Sequence, residues 1–184
     1  MTSHAADQDL HFGLRFHGGL RFRTICGECN SSLGGSEDKA LIDFYGRVRK
    51  LLESPLHFPT PIIRVPAKPN LIIRGLMAHL ASANPNGIPV PFDQEARDIF
   101  FERRELRRSS WNLFYWLYFG REIFVMRSAF LTRWNPTVEL NQVFLLKCPP
   151  LAFMFSRDAR FHGVPNLLHF VQNRKEDEAR FPCC

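Results

Sequence analysis

Cys26-Gly27-Glu28-Cys29 sets two thiols three positions apart, and the residues that follow, Asn30-Ser31-Ser32-Leu33-Gly34-Gly35-Ser36, are turn formers. Two thiolates at this spacing can share one tetrahedral ion lying about 2.3 Å from each sulfur. One such pair is half of a structural zinc site. The same four residues also admit a redox reading, in which a helix starts at the first cysteine and its dipole lowers the thiol pKa, and a plain reading as two cysteines in a loop. The turn-forming run after Cys29 speaks for the metal reading, since the helical pattern begins only near Glu37.

The residues before the pair predict a hairpin. Leu10, Phe12, Leu14 and Phe16 recur with a period of two, His17-Gly18-Gly19 supplies a turn, and Leu20 to Ile25 alternates again. After the pair, Ser36 is a candidate N-cap, Glu37 and Asp38 suit a helix first turn, and Leu41, Phe44, Tyr45, Val48, Leu51 and Leu52 fall at helical spacing. A helix over Glu37 to Leu52 follows. Strand, strand, knuckle and helix make a small ββα finger of treble-clef type.

These residues resemble the HNH endonucleases, whose metal site is built on such a finger. The resemblance covers His11, Gly18-Gly19, Leu20, Cys26, Cys29, Asn30 and Gly34, in order and spacing. It implies metal-dependent phosphodiester hydrolysis in DNA, with His11 as the base that activates water and Asn30 as a metal ligand or its orienter. It further implies structural zinc on Cys26 and Cys29 and a catalytic Mg²⁺ or Mn²⁺. The departures are specific. No cysteine precedes Cys26, and Leu10 stands where the family carries a carboxylate beside the histidine. Asp9 lies one place further back, on the opposite face of a strand. The expectation is therefore an HNH-like protein that is truncated or impaired, with a longer start restoring the first knuckle. The alternative is a non-catalytic zinc-finger, nucleic-acid-binding or interaction module. His11 or His17 can replace a missing zinc ligand, and a homodimer is a further way to complete the site.

Charge bears on the partner. The chain has 184 residues and a formal net charge of +6, which permits a nucleic-acid partner. Candidate phosphate contacts are Arg21 and Arg23 on the second hairpin strand, and Arg47 and Lys50 on the helix; a solvated helix face is the structural alternative for the last two. Five cysteines, an odd number, do not suggest a secreted disulfide framework. No run of 18 apolar residues occurs and the leading residues are polar, so a cytoplasmic protein without a membrane partner is expected.

Beyond the finger region, 1–54, five prolines in 55–69 predict a linker, with a short edge strand at Pro61 to Val65. Residues 70–172 predict a second unit. Asn70 is read as the cap of a helix from Leu71 to about Ser82, with His79 as a hydrogen-bonded core histidine. Asp93 is read as the start of a helix to about Leu106. Strands are expected at Trp111 to Tyr118, Glu122 to Leu131, Gln142 to Lys147 and Leu151 to Ser156, the last two joined by Cys148-Pro149-Pro150. Pro165 to Val171 is a short helix, and 173–184 reads as a charged, solvated tail. The fold class is α+β, with helices packed on an antiparallel sheet of about four strands. The aromatic strand Trp111 to Tyr118 is read as core, with a base-stacking platform as its functional alternative.

Overall fold

A computed structural model of the chain describes residues 27–28, 31, 35–54, 62–84, 87–101, 106–132, 140–158, 161, 163–172 and 178–182. The predicted hairpin, with His11, His17, Arg21 and Arg23, lies outside these residues. So do Cys26, Cys29, Asn30, Cys183 and Cys184.

The first long helix, α1 (Glu37–Leu52), has the bounds its periodicity predicts. Glu37, Ala40, Leu41, Phe44 and Val48 are buried at helical spacing, and acidic and basic residues occupy its first and last turns as the dipole favours. Ser36 precedes it but does not cap it. Its hydroxyl donates instead to the carboxylate of Glu37.

Two further helices begin one turn or less before the expected caps. Helix α2 (Pro69–Ser82) and helix α3 (Pro91–Phe100) both carry proline in the first turn. A proline there sacrifices no hydrogen bond, because the first N–H groups of a helix have no partner within it, and its φ is already helical. Asn70 and Asp93 consequently lie inside the helices. Asp93 still closes an open donor, its carboxylate accepting the Val90 N–H at 3.0 Å.

The sheet consists of β2 (Asn112–Leu117), β3 (Phe124–Thr132), β4 (Leu140–Cys148) and β5 (Leu151–Ser156). It is antiparallel throughout, in the order β2-β5-β4-β3. The register aligns Leu113 with Phe155 and Phe144, and Tyr115 with Phe153, Leu146 and Val125. These residues form the face against which the helices pack. Phe92 of α3 stacks on Phe144 at 4.2 Å between ring centroids and meets Trp111 and Phe155 edge-on. Each such ring adds about 2–3 kcal/mol by the apolar area it removes from water. The outer edge of β2 is closed by 165–167, where Tyr115 N–H donates to the Pro165 carbonyl and Leu167 N–H to that of Leu113. A last helix, α4 (Leu168–Gln172), follows.

The proline-rich stretch does not separate two cores. Ala40, Leu41, Phe44 and Val48 of α1 belong to the same buried cluster as Ile72, Leu76, Phe144 and Phe153. Helices α1 and α2 approach closely at Gly75, where an added Cβ would stand 3.2 Å from that of Glu37. Strand β1 (Ile62–Pro66) pairs antiparallel with β6 (Glu178–Pro182), so part of the expected solvated tail is a strand. Among the described residues no helix is long and apolar enough to cross a membrane.

One polar contact ties the sheet to the helices. At a register shift in β3 between Met126 and Ala129, Ser128 adopts a left-handed backbone with φ of 56°. The bulge lets Arg127 reach both carboxylate oxygens of Asp93 at 2.7 Å and the Ala81 carbonyl, near the end of α2, at 3.1 Å. Both side chains are nearly buried, at 12% and 8% exposure. Removing one member of a buried pair strands the other charge, at a cost of about 3–5 kcal/mol. Arg127→Met is expected to lower the urea midpoint accordingly, and Arg127→Met with Asp93→Leu to recover most of the loss. Equal midpoints for wild type and Arg127→Met would show the pair to be dispensable.

Candidate nucleic-acid interface

Helix α1 begins eight positions after Cys29, and its first turn is anchored to the body. An ion pair and a hydrogen bond hold its first turn to α2. Glu37, itself buried, accepts from Arg74 Nε at 3.3 Å, and Asp38 meets His79 Nε2 at 2.7 Å. Arg74 also donates to the Phe100 carbonyl at 2.9 Å, linking the start of α1 to the end of α3. His79 is thus hydrogen-bonded, as expected, but at the surface of the helix pair rather than in the core.

With one face of α1 committed to the core, the opposite face is set toward solvent. Lys39, Arg47, Arg49 and Lys50 are exposed on it. Arg49 is engaged by Glu53 at 2.7 Å, and that carboxylate raises its already high pKa. Arg47 donates only a long bond of 3.4 Å to the Pro66 carbonyl. Among the described residues neither Arg47 nor Lys50 meets a carboxylate, and the two stand one turn apart on the helix. Unpaired cations at this spacing on a rigid helix suit successive phosphate contacts. Of the residues singled out from the sequence, these two are brought together. The other six, His11, Arg21, Arg23, Cys26, Cys29 and Asn30, lie outside the described residues.

The residues between the cysteines differ from expectation. Gly27 and Glu28 are helical and exposed, and so is Ser31, where a turn was predicted. Helical backbone at Gly27 and Glu28 is what the redox reading expects, so the turn on which the metal reading leaned is not found at these two positions. Among the described residues no three His, Cys, Asp or Glu side chains gather as a metal site.

Several buried carboxylates escaped the sequence reading. Glu95 accepts from both hydroxyls of Ser109 and Ser110 at 2.6 Å and from the Ser110 N–H at 2.8 Å, fixing the approach to β2. Asp158 accepts from Asn141 at 3.0 Å. Both are hydrogen-bonded anchors; the sequence signal for Glu95 was its place on the apolar face of α3, where a lone carboxylate needs a partner.

Cys148 offers a thiol without nucleophilic character at neutral pH. Burial pushes its pKa up, and the nearby Tyr45 hydroxyl offsets this only in part. The Tyr45 hydroxyl is itself pushed up, first by burial and then by Cys148, and lies beside the thiol without full hydrogen-bond geometry. Both protons are held more tightly folded than unfolded. Their contribution to stability is therefore complete below the thiol's ordinary value of 9.0 and is lost as pH rises through the folded values. Thermal denaturation is expected to show a falling melting temperature above that pH, less so in Cys148→Ala. An unchanged alkaline slope in Cys148→Ala would remove the thiol from this account.

No protein-family model matches the chain, and neither does any curated protein or solved structure.

Proposed function

We propose that this protein is an HNH-endonuclease-like DNA-binding protein, in which a zinc-bound finger presents helix α1 to the phosphate backbone. The observation that carries this reading is the exposed face of α1, where among the described residues neither Arg47 nor Lys50 meets a carboxylate, on the first long helix after the cysteine pair. The net charge of +6 agrees with a polyanionic partner. In this reading Cys26 and Cys29 supply two thiolates to the zinc, and Arg21 and Arg23 are further candidate phosphate contacts. The zinc organises this segment and takes no part in hydrolysis.

The reading stops at binding. HNH hydrolysis needs a carboxylate to hold Mg²⁺ or Mn²⁺ beside the histidine, and position 10 is leucine. His11 and Asn30 then keep the family's positions without its anchor. Plasmid incubated with the protein and either metal is expected to stay supercoiled. Nicking that disappears in His11→Ala would restore catalysis to the proposal.

Binding is tested by titrating a labelled duplex over a range of salt. Each phosphate contact contributes about 0.9 to the slope of log affinity against log salt. Arg47→Gln with Lys50→Gln is expected to weaken binding and reduce the slope by about 2. The purified chain is expected to carry zinc that Cys26→Ser releases. An unchanged slope in the double variant, or a wild type that ignores duplex DNA, overturns the reading.

A further inference from the structure

The sheet has a second face, turned away from the helices. Register places Trp116, Ala152, Lys147 and Phe124 in one row across β2, β5, β4 and β3. Trp116, Lys147 and Phe124 are half-buried, and none of them belongs to the helix-side core. The neighbouring row begins with Phe114, which is fully buried against the ring of Phe161 at 4.9 Å. Cover from Phe161 and Asn166 is therefore seen at the Phe114 end.

The row does not have the chemistry of a buried layer. The Lys147 ammonium sits over the rings of Tyr118 and Phe124, at 5.5 and 5.6 Å from their centroids. Among the described residues no carboxylate pairs with it, and a cation sealed under a protein cover needs one. The Trp116 side chain makes no ring contact or hydrogen bond among the described residues. Arg121, in the connection that follows Tyr118, is exposed, as is Phe119 at 77%. Two rings on strands about 14 Å apart, by three strand spacings, with a cation on a strand between them, match a chain that alternates flat apolar faces with negative charge.

We propose that this face binds single-stranded DNA, with Trp116 and Phe124 stacking on non-adjacent bases and Lys147 contacting a phosphate between them. Stacking accepts any base, because every base has a π-face, so binding is expected to be tolerant of sequence. The assignment to DNA rests on the proposed function, while the surface itself is distinct from α1. The two can therefore fail separately.

The test uses the full chain at low salt, with a fluorescein-labelled oligo-dT of about 15 nucleotides and a labelled duplex as separate probes. Trp116→Ala is expected to weaken oligo-dT binding roughly ten-fold and leave duplex binding unchanged. Trp116→Phe keeps a stacking ring and is expected to stay within roughly three-fold of wild type. Lys147→Gln is expected to weaken oligo-dT binding and reduce its salt slope by about 0.9. The Arg47→Gln, Lys50→Gln variant is expected to lose duplex affinity and keep that for oligo-dT. Duplex binding without oligo-dT binding overturns this inference and leaves the proposed function standing; the reverse result does the opposite. Tighter binding of oligo-U RNA than of oligo-dT overturns the assignment to DNA. If Trp116→Ala loses its near-ultraviolet circular dichroism, Lys147→Gln decides, and wild-type affinity in that variant overturns the proposal.

Discussion

The bidentate contact between Arg127 and Asp93 is the constraint on which the arrangement of layers depends. Arg127 belongs to an edge strand, and Asp93 to the first turn of α3. The same guanidinium donates to the Ala81 carbonyl near the end of α2. One side chain therefore meets the negative end of one helix and a carboxylate placed at the positive end of another. It can do so only because β3 breaks register at Ser128, which turns Arg127 off the line of the ladder. An inward charge on an edge strand also discourages pairing with another sheet, so the joint blunts the edge on which it sits.

Helix α3 is short for the number of elements it holds. Phe92, Asp93 and Glu95, almost consecutive, reach the aromatic core, β3 and the turn into β2. Two buried carboxylates on a ten-residue helix are costly unless every oxygen is served, and here serine hydroxyls, two backbone N–H groups and an arginine serve them. The sheet is consequently covered on one face by groups that also fix its edge. On its other face Phe114 is covered by Phe161, and the next row carries Trp116, Lys147 and Phe124 half-buried.

Much of the fold was legible because it is written in local patterns. The apolar period of α1 and the run Leu151 to Ser156 between a proline turn and Arg157 gave the observed bounds. The four-strand antiparallel sheet was legible from the aromatic stretch and the Pro149-Pro150 turn. What was missed depends on distant partners or on competition between signals. Proline at the first turn outranked Asn70 and Asp93 as the start of a helix. The strand Glu178–Pro182 is too short and too charged to announce itself, and its partner lies more than half the chain away. Of the candidate site, Arg47 and Lys50 were legible as the polar side of an amphipathic helix. The row from Trp116 to Phe124 was not, because its members meet only once four strands are in register.

The ribbon formed by Ile62–Pro66 and Glu178–Pro182 carries a temporal consequence. As the chain leaves the ribosome, the earlier strand emerges without the segment that will satisfy its backbone, and it waits for a partner made more than half the described chain later. Helices and sheet can associate in the meantime, since their partners lie nearer in the chain. The clasp between the two strands therefore closes after the packing of helices on sheet.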